Sequence, residues 1–161
     1  MTGVPIDLVY RQHPSAVRSI LESLPEWFGD PTAIDGYEQD GTSNAFQSVL
    51  ALDGGETVGV ALVRRHFRAS AELHLIAVDP DMRGRGVGQA LVERICTDLS
   101  RDRCHLLSVH TVGPSFDSEP YAATRRFYES AGFHPLEEHS GLDWSGPSLI
   151  LVKVLDTAVR Q

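Results

Sequence analysis

The sequence predicts a mixed α/β fold, α+β in character, with one central sheet flanked by helices. Two observations carry this. Strand-like and helix-like patterns alternate along the chain as a short strand, one or two helices, a meander of strands, a crossover helix, another strand, a helix and a final hairpin. Within that order, the stretch from Ala71 to Val112 reads as strand, turn, helix and strand, the unit from which helix-covered sheets are built. A length of 161 residues suits one domain spanning residues 1–161. A chain of this size buries roughly 70% of its unfolded surface, enough for both a core and a cleft.

The elements follow in order. Ile6 to Tyr10 reads as a first strand, and Pro14 to Leu24 as an amphipathic helix, because Val17, Ile20, Leu21 and Leu24 recur at helical spacing. Pro25 stops that helix. Glu26 to Pro31 is a turn, followed by a short helix to about Tyr37 and a polar loop through Asn44. Ala45–Leu52 and Thr57–Arg65 pair as strands across Asp53-Gly54-Gly55-Glu56, which has the chemistry of a tight hairpin. Ala71 to Val78 is the next strand. A helix from about Gly88 to Leu99 carries Leu91, Val92, Ile95 and Leu99 on one face, and Leu106 to Val112 follows as a strand. The loop Gly113 to Pro120 leads to a helix from about Tyr121 to Ala131, stopped by Gly132, and strands near Phe133–Leu136 and Ser148–Val154 close the chain.

Composition narrows the function classes. Hydrophobic residues make up 42% of the chain, and no apolar run approaches the roughly 18 to 20 residues of a membrane helix. Met1-Thr2-Gly3-Val4-Pro5-Ile6-Asp7 lacks the basic region and apolar core of a secretory signal, so a soluble cytoplasmic protein is expected, with no membrane partner. A formal net charge of -8 disfavours nucleic acid, whose phosphates require a basic face. The same charge mildly favours a cationic partner by steering, or serves solubility alone. Cys96 and Cys104 lack C-x-x-C spacing and read as buried thiols in a reducing compartment. The seven histidines show no H-E-x-x-H or Cys/His ligand spacing, so no metal is expected.

The chemistry concentrates in Val78-Asp79-Pro80-Asp81-Met82-Arg83-Gly84-Arg85-Gly86-Val87-Gly88-Gln89, where a strand gives way to a glycine and arginine run and then a helix. Glycines at alternate positions let the backbone approach a ligand, and the following helix presents N–H groups at its positive end, so the stretch reads as a phosphate cradle. The dinucleotide fingerprint needs a glycine where Gln89 stands, and the P-loop needs a Gly-Lys-Ser/Thr that is absent. What survives is Arg83-x-x-Gly86-x-Gly88, which resembles the Q/R-x-x-G-x-G/A motif of the GNAT superfamily of acyl-CoA-dependent N-acyltransferases. Upstream, Ala71-Glu72-Leu73-His74-Leu75-Ile76-Ala77-Val78 resembles the family's central strand, with an acidic residue where several members carry a general base. Downstream, Thr124 to Phe133 resembles the family's A-x-x-x-Y-E-x-x-G-F signature. The likeness covers about residues 44 to 154.

The resemblance implies a central, mostly antiparallel sheet of about seven strands with about four flanking helices. In it strands 4 and 5, here Ala71–Val78 and Leu106–Val112, splay apart to admit the pantetheine arm of acetyl-CoA. It assigns the acyl-CoA-binding core to about residues 44–154 and the acceptor side to the helices within about 14–38. It assigns Arg83, Gly84, Arg85, Gly86, Val87, Gly88 and Gln89 to the pyrophosphate, Ile76, Ala77 and Val78 to main-chain contacts polarising the thioester carbonyl, and Thr124, Phe127 and Tyr128 to the cofactor from the later helix. One departure stands out. The asparagine that many members place before the alanine of the later signature is Tyr121 here, and that alanine is Thr124.

Acyl transfer to an amine requires that a protonated amine first lose a proton. Glu72 and His74 lie two apart on a strand and so on one face, and either, or a water chain, is the candidate base. Tyr128 occupies the family's general-acid position, where a hydroxyl protonates the departing thiolate. Trp27, Phe28, Tyr37, His110, Phe116 and Tyr121 are the candidates to line the acceptor pocket. The expected activity is acetyl transfer from acetyl-CoA to a primary amine of a small molecule, directly within a ternary complex. The alternatives are a non-catalytic acyl-CoA sensor and a protein or peptide N-acetyltransferase. Many relatives are homodimers, so the resemblance also suggests a homodimer.

Overall fold

The computed structural model describes Pro5–Leu155. The reading of Met1–Val4 and the ends of the expected domain, residues 1–4 and 156–161, lie outside the described residues. Among the described residues, seven strands and four α-helices follow in the order β1 (Asp7–Tyr10), α1 (Pro14–Glu22), α2 (Pro31–Asp40), β2 (Phe46–Asp53), β3 (Glu56–Phe67), β4 (Ser70–Val78), α3 (Val87–Arg101), β5 (Leu106–Val112), α4 (Glu119–Ser130), β6 (His134–Ser140) and β7 (Pro147–Val154). The strands form one sheet of order β1-β2-β3-β4-β5-β7-β6, in which β4 and β5 run parallel. This is the mixed α/β fold that the alternating pattern predicts. Contacts divide the chain into two compact units, the residues up to Arg65 with His74–Ile95, and His66–Leu73 with the residues from Cys96 on.

In the first unit, β1, β2 and β3 are antiparallel neighbours, and Asp53 pairs with Glu56 across a two-residue turn. Gly54 and Gly55 both have positive φ, 60° and 91°, the requirement of a turn whose twist matches the strands. Val17, Ile20, Leu21, Leu24 and Ile34 of the two helical segments pack on Leu50, Leu52, Val60, Leu62, Leu75 and Ala77, with Trp27, Phe28, Tyr37 and Phe46 at the edge of that core. The helix α1 ends at Glu22, with Ser23 as its C-cap two residues before Pro25. The helix α2 runs to Asp40, three residues beyond the expected end at Tyr37. Its anchor is Arg18 of α1, whose guanidinium bonds Glu22 at 3.3 Å, Glu38 at 2.9 Å and the Asp35 carboxylate. Three carboxylates hold that guanidinium protonated well above its ordinary range, so it serves as a permanent cation tying α1 to α2.

In the second unit, β5 pairs antiparallel with β7 and β7 with β6, and β4 pairs with β5 from Ser70–Leu106 to Leu73–Val109. Leu107, Val109, Phe133 and Leu151 are buried there. The strand β6 lies at the sheet edge, which tolerates Pro135 beside a register shift. Gly132 follows α4 at φ 100°, while the Phe133 N–H closes back to the Tyr128 carbonyl at 3.0 Å. Lys153, the one lysine of the chain, donates to the Ala131 carbonyl at 2.6 Å. Cys104 is buried, as expected, whereas Cys96 is only partly buried; neither forms a disulfide. No helix among the described residues is long and apolar enough to cross a membrane.

Candidate functional site

The phosphate-cradle sequence forms a tight succession of turns in the first unit. After β4 the Asp79 N–H bonds the Val58 carbonyl at 2.8 Å, and its carboxylate caps a short 3-10 turn, Pro80–Met82, by accepting from the Asp81 N–H at 2.9 Å. Buried Met82 anchors this turn. Gly84 and Gly86 then adopt φ of 75° and 79°, a left-handed conformation that costs side-chain-bearing residues about 1–2 kcal/mol. A Cβ at either would meet nothing, so it is backbone conformation that calls for glycine at these points. The helix α3 starts at Val87, one residue earlier than expected, and its first ladder bond runs from the Ala90 N–H to the Gly86 carbonyl at 2.9 Å. Val87, Gly88 and Gln89 therefore form the first turn, whose amides have no intrahelical acceptor and concentrate the positive end of the helix dipole. That is the geometry of an anion site made of main chain.

Two further side chains shape this loop. Arg83, exposed, places its guanidinium over the Trp27 ring, 4.9 Å from the centroid, while Arg85 Nη1 lies 3.5 Å from Met82 Sδ. Gly59 on β3 went unremarked in the sequence. A Cβ there would come within 3.0 Å of Val87 Cγ1, 3.2 Å of Leu91 Cδ1 and 3.3 Å of Ala51 Cβ, so this glycine lets the start of α3 close on the sheet. The signal for it was a glycine inside an apolar strand, which marks a close approach.

Along β4 the burial alternates, with Ala71, Leu73, Leu75 and Ala77 buried and Glu72, His74, Ile76 and Val78 partly exposed, as period two requires. The two candidate bases have different companions. In the first unit, His74 Nε2 is 2.8 Å from Asp40 Oδ2 of α2. Its ring packs on Phe46 at 4.7 Å and on Tyr37 at 5.3 Å, and Tyr37 in turn meets Phe28 edge-on at 5.9 Å. Of the predicted acceptor residues, Phe28 and Tyr37 thus join His74 in one aromatic group. In the second unit, Glu72 Oε1 is 2.7 Å from His66 Nε2. Neither Asp40 nor His66 had been singled out from the sequence.

The remaining candidates also lie in the second unit. Tyr128 is buried and packs edge-on against Phe127 at 5.5 Å and Phe133 at 5.7 Å. The Thr124 hydroxyl donates to the Pro120 carbonyl at 3.1 Å within α4. Burial pushes the Tyr121 phenol up, keeping it neutral. His110 Nδ1 lies 3.1 Å from Asp143 Oδ2, and Phe116 meets Trp144 edge-on at 5.4 Å. The β6–β7 connection therefore supplies Asp143 and Trp144 beside two predicted residues. The Ser115 hydroxyl and N–H donate to the Glu138 carboxylate at 2.6 and 3.0 Å, holding it below its ordinary carboxylate range. Among the described residues, no group of three or more His, Cys, Asp or Glu is arranged to hold a metal ion.

Comparison with known proteins agrees with this geometry. The family model described as "Acetyltransferase (GNAT) domain" matches residues 44–135, more than half of the chain. No curated protein sequence matches. A protein assigned as a GNAT-family acetyltransferase from Desulfovibrio desulfuricans superposes with a TM-score of 0.83 at 23% identity, covering 94% of this chain and 100% of its own. The ribosomal-protein-S18-alanine N-acetyltransferase of Escherichia coli gives 0.75 at 18% identity, with 98% of each chain covered. An aminoglycoside 6'-N-acetyltransferase complexed with coenzyme A gives 0.73 at 16% identity, covering 95% of this chain and 98% of its own. At these identities the likeness is one of fold.

Proposed function

The chain belongs to the GNAT acetyltransferase family, and from that premise we propose that it is a cytoplasmic, single-domain enzyme transferring an acetyl group from acetyl-CoA to a primary amine of a small molecule. The observation that carries this reading is the Arg83–Gln89 turn, where two left-handed glycines deliver the chain into the first turn of α3. Those main-chain N–H groups suit a pyrophosphate, and the guanidinium groups of Arg83 and Arg85 suit the outer phosphates. The edge of β4 at Ile76, Ala77 and Val78 supplies main chain to the thioester carbonyl, and α4 supplies Thr124, Phe127 and Tyr128 to the cofactor, as the resemblance assigns them.

Transfer is direct, within a ternary complex, and forms no acyl-enzyme. The acceptor nitrogen loses a proton to a base on β4, Glu72 or His74, and attacks the thioester carbon; the tetrahedral intermediate expels the sulfur, which takes a proton from Tyr128, and the second proton of the nitrogen makes good the one that Tyr128 gave. Trp27, Phe28 and Tyr37 of the first unit are the residues offered to the acceptor, and the net charge of -8 draws a cationic one. Calorimetric titration with acetyl-CoA and CoA, followed by thiol release across a panel of small amines and peptides, tests the reading. Micromolar binding with release that depends on a small amine supports it. Release with peptides alone moves the acceptor to a protein, binding without release leaves a sensor, and no binding overturns the cradle.

A further inference from the structure

We propose that Asp40 is a positioning residue that holds the His74 ring as its Nε2–H tautomer, so that His74, through Nδ1, is the group that takes the proton of the acceptor ammonium. This rests on the acetyl-transfer reading and resolves which group on β4 acts as base.

An ionised carboxylate accepts hydrogen bonds and donates none, so an imidazole nitrogen 2.8 Å from Asp40 Oδ2 must carry the hydrogen. That nitrogen is Nε2, and the lone pair of the neutral ring then sits on Nδ1. Phe46 lies on the ring at 4.7 Å with only 33° between the planes, and Tyr37 packs on it at 5.3 Å. Aromatic packing fixes the plane and the Asp40 bond fixes the rotation about it, which is the orientation a general base requires. The side chain still keeps 27% of its surface accessible, so an acceptor can reach it. When the ring takes a second proton, Asp40 faces the imidazolium that results and stabilises it, as a carboxylate behind a histidine does in other catalytic pairs.

Glu72 is held differently. Its Oε1 accepts from His66 Nε2 at 2.7 Å, so removing a proton from an amine there competes with an existing charge-assisted bond. The balance of the step is simple. The first ammonium proton moves to Nδ1, and the neutral nitrogen forms the N–C bond while the C–S bond breaks. The second proton on nitrogen replaces, at the Tyr128 oxygen, the one that Tyr128 gives to sulfur, and the imidazolium releases its own to solvent. The products are an amide, a free thiol and one proton.

Three variants test this in the intact chain. Asp40→Ala is expected to lower kcat about 10- to 100-fold with the acetyl-CoA Kd and the helical circular dichroism unchanged, and Asp40→Glu to recover a large part of that loss. Long-range proton–nitrogen correlation of the histidine side chains reads the tautomer directly: Nε2–H for His74 in the native protein, a mixture in Asp40→Ala, and no signal in the control His74→Gln. The tautomer readout needs no turnover. An ordered Nε2–H tautomer in a protein that acetylates nothing in the amine and peptide panel would sink the acetyl-transfer reading while leaving the positioning role standing. A mixed tautomer in the native protein, or full kcat in Asp40→Ala, overturns the proposal itself.

Discussion

The turn at Asp79–Gln89 and the ring group around His74 both belong to the first unit, yet they specify their geometry by opposite means. In the turn the information is local. The hydrogen bonds that shape it, from the Asp79 cap to the Gly86 carbonyl, join residues within four positions of each other, apart from one link to the Val58 carbonyl, while Arg83 over Trp27 adds a long-range contact. Around His74 the information is long-range, because Asp40, Tyr37 and Phe46 come from α2 and β2, and the Asp40 bond spans 34 positions. On the proposed reading, main chain holds the ligand in the first region and side chains carry the chemistry in the second. A backbone site tolerates side-chain change but not conformational change, whereas the ring group depends on the identity of each side chain in it.

That contrast predicts a double dissociation, and its larger half lies at His74. His74→Gln should cut kcat by about 100-fold or more, the typical worth of a positioned base, and leave the acetyl-CoA Kd unchanged in calorimetry. If the Kd moved as far as kcat, the two regions would not be separable. The other half is Gly86→Ala. An L-residue forced to a φ of 79° pays about 1–2 kcal/mol, so acetyl-CoA should bind about tenfold more weakly, with kcat at saturating substrate retained. Wild-type affinity in Gly86→Ala would mean that the turn is not what holds the phosphates.

The same contrast explains what could be read from the sequence. The strand β5 runs over the expected residues, and the glycine run gave away both the turn and the start of α3, because local conformational demand leaves its mark on local residue choice. Asp40 stayed hidden because α2 reads weakly as a helix. Gly36 sits in its interior, at a cost of about 0.5–1 kcal/mol, and only Ile34 is buried along it. What extends it to Asp40 is the Arg18 guanidinium reaching across from α1 to Asp35 and Glu38, a tertiary contact that no periodicity announces. His66 and Asp143 escaped for the same reason, since each meets its partner only once strands are in register. The pairing of Glu72 with His66 is likewise invisible to a motif, which records a carboxylate on β4 and nothing of what already binds it.

Gly59 sharpens the comparison at an intermediate scale, because it serves the backbone site from a distance. Gly59→Ala would press a methyl to within 3.0 Å of Val87 Cγ1, and overpacking of this kind costs about 1–3 kcal/mol. The expected result is a lower Tm together with weaker acetyl-CoA binding, as the first turn of α3 is pushed off the sheet. A lower Tm with unchanged affinity would confine the role of Gly59 to packing.

The smallest expected effect is at Glu138, whose carboxylate pins the chain at Ser115 through two donated bonds, from hydroxyl and main-chain N–H. Gly113 takes part, since a Cβ there would run into the same side chain. Those bonds hold the folded carboxyl below its ordinary range, so their contribution is present in full above the unfolded value of about 4.3 and fades as the pH drops through the lower folded value. Glu138→Gln should therefore lower Tm slightly at pH 7, and the gap between variant and native protein should close on acidification. Because the group is fully solvent-exposed, salt should narrow the gap as well. A gap that persisted at low pH would mean that Glu138 acts through its shape and packing, which would move this loop from the electrostatic to the steric side of the comparison.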